Sequence, residues 1–206
     1  MNSRHMKGLI IASCVASLGL AGAIGGTYAL FSRKLEVVSH VKVGNLNFSF
    51  ARTSLKQKVL NDKGYLEEKV DTSVVDLTSD GAKAFDLDGV VPGSEIESTF
   101  KLANIGGTAF KTEVNLVNLE VKDKDGNAAE NDWLSHVSVK CLEAESEKAS
   151  FTLKDLGTVS LSNLEKGKEL TFSLKFSFDL DAIGNEAQEE DISFALRLSC
   201  TQIVSE

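Results

Sequence analysis

The chain reads as all-β: an antiparallel jelly roll or β-sandwich of one domain, with a short helical insertion, behind a cleaved signal peptide. Three observations predict this. Apolar residues alternate with polar or small ones in several runs, most cleanly at Leu170, Phe172, Leu174, Phe176, Phe178 and Leu180. Period two marks a strand with one face inside and one face wet. Such runs recur every 10 to 20 residues, broken by turn residues and with few helical patterns, which favours a sandwich over an α/β fold. Finally, the only proline is Pro92, so no Pro-rich linker or stalk divides the chain.

The leader comes first in order. No charged side chain occurs between Lys7 and Arg33, and basic, apolar and small Gly-rich regions follow one another there. That order is a secretory signal. Thr27-Tyr28-Ala29 is the expected peptidase site, because Thr27 and Ala29 have small side chains, and the mature protein would begin at Leu30. Three other readings fit less well. An uncleaved anchor needs about 20 apolar residues; the stretch is long enough, but Gly19, Gly22, Gly25 and Gly26 suit a cleaved signal better. A lipobox at Cys14 would have too short an apolar run before it, and a pilin cut after Gly8 lacks the acidic residue expected soon afterwards.

Removing residues 1–29 takes Arg4 and Lys7 from the 22 basic residues and nothing from the 30 acids, leaving a mature chain of net charge −10. That balance argues against nucleic acid and against docking on anionic lipid, and it favours solubility. With the apolar leader gone, no stable membrane anchor is expected in the mature chain. The 177 residues left suffice for one domain with a real core.

Residues 30–43 contain Leu30, Phe31, Leu35, Val37, Val38, Val41 and Val43, whose β-branched content favours an extended segment. Gly44 marks a bulge or turn before the alternating Leu46, Phe48 and Phe50. The remainder, 44–206, is read as the sandwich domain. Residues 51–83 look like an insertion, with Leu55, Val59 and Leu60 near helical spacing and a short helix expected to end at Gly64. The acids Glu67, Glu68, Asp71, Asp76 and Asp80 are expected to form a solvated face.

Pro92-Gly93 has turn chemistry, and Ile96, Ser98, Phe100 and Leu102 share one strand face after it. Asn104-Ile105-Gly106-Gly107 turns the chain back into Phe110, Thr112, Val114 and Leu116. The parity then changes at Val117, Leu119 and Val121, which predicts a second bulge. Val137, Val139 and Cys141 share a face, and shorter strands follow near Phe151 and Val159. Leu164 to Leu170 echoes the spacing of Val90 to Ile96 just before the Phe-rich strand. Ile192, Phe194, Leu196, Leu198 and Cys200 form the last strand.

Two stretches carry a resemblance. Gly25-Gly26-Thr27-Tyr28-Ala29-Leu30-Phe31-Ser32 resembles the leader junction of the TasA/camelysin family of secreted Gram-positive proteins. The run PGSEIESTFKLANIGGTAFKTEVNL resembles that family's Pro-Gly turn, strand, Asn-x-Gly turn and return strand. The resemblance implies release by a SipW-type signal peptidase and a jelly-roll subunit of extracellular matrix or biofilm fibres. In that family the N-terminal segment of one subunit completes the sheet of the next, so Leu30 to Val43 would be the donor strand and the partner would be a second copy. The physics is β-augmentation, with backbone hydrogen bonds giving affinity and alternate side chains giving register. A monomeric surface or adhesion module and a secreted camelysin-like metallopeptidase are the alternatives.

Sites of chemistry are sparse. Cys141 and Cys200 sit at the inward parity of their strands, as a disulfide between neighbouring strands or as two buried thiols. No catalytic motif is found and no cofactor is expected, so the chain reads as a structural protein rather than an enzyme. The mature chain has two histidines, His40 and His136, and no H-E-x-x-H helix, whereas a catalytic zinc wants about three protein ligands. Asp123-Lys124-Asp125-Gly126-Asn127 has the look of a calcium loop. Aligning Gly126 with the loop's central glycine puts Val121 where a carboxylate is required, so a tight hairpin turn explains Asp125-Gly126 better.

Overall fold

The computed structural model describes residues 31–42, 46–79, 81–129, 132–179 and 190–203. The leader with Thr27, Ala29 and Leu30, and also Val43, Gly44, Asp80 and Leu180, lie outside them. The described strands are, in chain order, β1 (Phe31–Lys42), β2 (Phe48–Leu60), β3 (Leu66–Asp71), β4 (Val75–Asp76), β5 (Ala82–Val90) and β6 (Glu95–Asn104). Then come β7 (Phe110–Lys122), β8 (Val137–Glu143), β9 (Ser146–Thr152), β10 (Thr158–Ser160), β11 (Glu169–Phe178) and β12 (Asp191–Gln202), with a 3₁₀ turn at Asp132–His136 before β8.

They form two sheets. One runs β10-β7-β12-β1-β5; the other runs β3-β2-β6-β11-β8-β9, with β4 also paired to β2. Alternation dictates the packing. In β6, Ile96, Ser98, Phe100, Leu102 and Asn104 are buried, and in β11, Phe172, Leu174, Phe176 and Phe178 are buried, as expected. These faces meet the inner face of the other sheet in one core. Aromatic rings join the layers: Phe176 of β11 lies 5.4 Å from Phe194 of β12, and Phe48 of β2 lies 6.4 Å from Phe110 of β7. The pairings are antiparallel apart from β1, which runs parallel to β12, so the expected antiparallel sandwich carries one parallel ladder.

The helical insertion is corrected. Leu55, Val59 and Leu60 belong to β2, which continues from Phe48 and forms a hairpin with β3. A spacing of four satisfies period two as well as period 3.6, so Leu55 and Val59 could not separate strand from helix. A register shift between Arg52 and Ser54 changes the buried parity from Phe48 and Phe50 to Leu55 and Val59, which hid the strand's continuity. The hairpin turn is set by Asn61, whose Oδ1 accepts from the Lys63 and Tyr65 amides at 3.0 Å, and by Gly64 at φ +78°.

The other turns follow their chemistry. The Ser94 amide donates to the Val91 carbonyl around Pro92-Gly93, and the Ser94 hydroxyl oxygen accepts from the Val91 amide. Buried Asn104 donates through Nδ2 to the carbonyls of Thr108 at 2.9 Å and Leu164 at 3.0 Å, tying the Asn-Ile-Gly-Gly turn to the Leu164–Leu170 echo. The expected bulge in β7 falls at Asn118, φ +56°, opposite a register shift in β12. At Asp123, one carboxylate oxygen accepts from the amides of Asp125 and Asn127 at 2.9 and 2.8 Å. That is an Asx turn closing a hairpin, and these hydrogen bonds hold the Asp123 carboxyl below its usual range, Asn127's backbone foremost.

Candidate assembly site

The segment singled out as a donor strand forms β1, the first described strand of the chain. It lies inside its sheet, with β12 on one side and β5 on the other. Along β12 the register runs without a break from Ser32↔Asp191 to Lys42↔Thr201, and it pairs Leu35 with Phe194, Val37 with Leu196, Val38 with Arg197 and Val41 with Cys200. Along β5 it pairs Phe31 with Val90, Leu35 with Phe85 and Val37 with Ala82, with shifts between Phe31 and Arg33 and between Leu35 and Glu36.

The walls and floor of this position are built from the core. Ile192, Phe194, Leu196, Leu198 and Cys200 are buried along β12, and Ala84 and Phe85 along β5. Leu35 is the register partner of both Phe194 and Phe85, and the Phe176 ring of the opposite sheet touches both, at 5.4 and 6.4 Å. Phe176 therefore floors the middle of the slot. At the start of β12, buried Trp133 donates through Nε1 to Glu190 Oε2 at 2.8 Å. Burial, partly offset by that bond, pushes the Glu190 carboxyl up.

Sequence reasoning missed Arg52. It is 5% exposed and follows Phe48 and Phe50 at the inward parity of β2, and a charge at a core position was the available signal. Its Nη1 donates to the Ala84 carbonyl at 2.9 Å and its Nη2 to Asp71 Oδ2 at 2.6 Å and Ser73 Oγ at 3.1 Å. Asp71 is thus an ion-pair partner, whereas Glu67 and Glu68 are solvated as expected.

The cysteines stand apart. Cys141 is on β8 and Cys200 on β12, strands of different sheets, and of the two alternatives the structure has the buried free thiols. Burial pushes each thiol up to about 12. Of the zinc candidates, His136 is exposed at the end of the 3₁₀ turn, and His40 pairs in register with Ser199. Among the described residues no three His, Cys, Asp or Glu side chains gather as a metal site. No described helix is long and apolar enough to cross a membrane.

Comparison with known proteins gives a family. No curated protein matches the chain. Among solved structures, the major pilin protein (T-13) from Streptococcus pyogenes serotype GAS131465 is similar at 5% identity over 85% of this chain and 98% of that one. The TM-score is 0.17, below the level at which two chains share a fold. The profile described as Camelysin metallo-endopeptidase matches residues 57–172, from within β2 to within β11. That match spans more than half of the 206 residues, and the suspected kinship holds: the chain belongs to the camelysin family.

Proposed function

We propose that this chain is a secreted structural subunit that polymerises head-to-tail into extracellular matrix fibres, β1 of one copy filling the slot of the next. One observation carries the reading: the first described strand in the chain is an interior strand of its sheet. A chain end can leave without threading a loop. Its departure opens two strand edges that only another strand can satisfy. A second copy offers the same twelve residues in the same register, so exchange conserves the contacts and forms an open-ended, heterologous joint. The leader acts as a lock, because Leu30 onward cannot reach a neighbour while tethered in the membrane. Cutting by a SipW-type peptidase after Ala29 releases and activates the subunit together. Replacing Ala29 with Arg is expected to leave unprocessed precursor in the membrane fraction; secreted protein beginning at Leu30 despite the change would refute the cleavage site.

Cys200 reports on the slot. In the closed subunit its thiol is buried, and its register partner is Val41 of β1. When residues 30–42 are deleted, labelling of Cys200 by a maleimide is expected to speed up by about tenfold or more as burial and its pKa penalty are relieved. Cys141, in the other sheet, should not change. Equal rates for Cys200 in both proteins would mean that β1 does not cover it. The family's description favours a second reading, a metallopeptidase. Proteolysis by the purified mature chain that is lost with a chelator and restored by zinc would establish it.

A further inference from the structure

We infer that Arg52 is the positioning residue that fixes the register of the strand in the slot, by holding open a bulge in the slot's β5 wall. The inference rests on the strand-exchange reading above. In β5, Phe85 pairs with Leu35 and Lys83 with Glu36, so Ala84 is an extra residue with no partner on β1. Ala84 and its neighbour Phe85 are both buried at this irregularity. A carbonyl left unpaired inside the core at such a bulge is costly. The guanidinium of Arg52 meets the Ala84 carbonyl at 2.9 Å, and is itself anchored by Asp71 and Ser73 on the far side of β2.

The arrangement is poorly explained as a device for stability alone. Arg52 Nε is buried without a partner, and a buried ion of this kind is often replaced by apolar groups at no loss. It does suit a register device. The bulge falls opposite the middle of β1, between Leu35 and Glu36. A strand whose apolar positions match Phe85 on one side of the bulge and Ala82 on the other fits in one register. A slip of one residue turns every side chain to the wrong face. When β1 is out, β5 has lost its ladder partner among the described strands, and Arg52 still ties the middle of β5 to β2.

The experiment uses the full mature chain and two labelled peptides. One is residues 31–42; the other has a single Ala inserted between Leu35 and Glu36, which pairs best with a β5 that has no bulge. Incorporation into the unaltered subunit should favour the natural peptide by roughly tenfold or more, the scale set by one unpaired buried carbonyl. In Arg52→Met the preference should shrink severalfold, whatever the change in melting temperature, without reaching one, because the insertion still breaks the register along β12; Arg52→Lys should restore part of it. Should Arg52→Met fail to fold, Asp71→Asn, at the half-exposed end of the clamp, should lower the preference in the same direction. An undiminished preference in the folded Arg52→Met or Asp71→Asn subunit overturns the role of Arg52 while leaving strand exchange intact. Failure of the unaltered subunit to take up either peptide overturns both.

Discussion

Deleting Leu30–Val38 from the mature chain is expected to abolish fibre growth and to turn the subunit into a terminator of fibres grown by intact protein. The deletion removes the register from Ser32↔Asp191 to Val38↔Arg197 along β12 and from Phe31↔Val90 to Val37↔Ala82 along β5. The truncated copy has no strand to give, but its slot can still receive one. Composition alone, which makes residues 30–43 an extended segment, implies only that a folded, soluble monomer remains. The interior position of β1 changes that expectation. The truncated subunit should melt lower than the parent, since two strand edges and the slot floor are opened together, and a peptide of residues 31–42 should restore it. Val37→Pro should act in the same direction, because residue 37 is paired on both sides, to Leu196 and to Ala82, and proline cannot donate. Sedimentation and negative-stain imaging of the truncation, alone and mixed into growing parent fibres, make the measurement. Regular fibres from the truncated protein alone would rule out donor-strand growth. If the parent forms none under any salt or pH, the monomeric surface-module reading stands instead.

Phe176→Ala should destabilise the subunit by about 3–5 kcal/mol, the usual cost of truncating a buried Phe. Phe176 is fully buried, and its ring contacts Phe194 and Phe85 across the sandwich. The cavity would lie between the sheets with little room to collapse, because Phe85 and Phe194 are both held by their pairing with β1. Against a typical domain stability of about 5–15 kcal/mol this is a large share. For a chain of this size it corresponds to a fall of roughly 6–20 °C in melting temperature. Calorimetry or denaturant titration of the mature protein gives the value. A melting temperature within a degree or two of the parent would show that Phe176 does not join the layers. Because Phe176 also floors the slot beneath position 35, the same substitution should weaken uptake of the β1 peptide.

Local chemistry made much of the fold legible. Strict alternation in β6, β8, β11 and β12 assigned their buried faces, since period two leaves a strand no other way to hide its apolar residues. Pro92-Gly93, Asn104 and Asp123 turn the chain where they stand because their side chains and φ preferences act within a few residues. The acidic balance and the leader grammar are likewise properties of the sequence alone. What required the tertiary structure is whatever depends on residues far apart in the chain. Leu55 and Val59 became strand instead of helix because β6 and β3 lie alongside, pairing Leu55 with Ser98 and Val59 with Glu67. Cys141 and Cys200 share the same parity, yet they fell in different sheets, which parity cannot encode. Arg52 finds its partner 32 residues away at a bulge visible only once β1 and β5 are in register. The placement of β1 between β12 and β5 is the clearest case. Its apolar, β-branched composition determines an extended strand, but interior or edge position is decided by which distant strands flank it, and alternation is indifferent to neighbours.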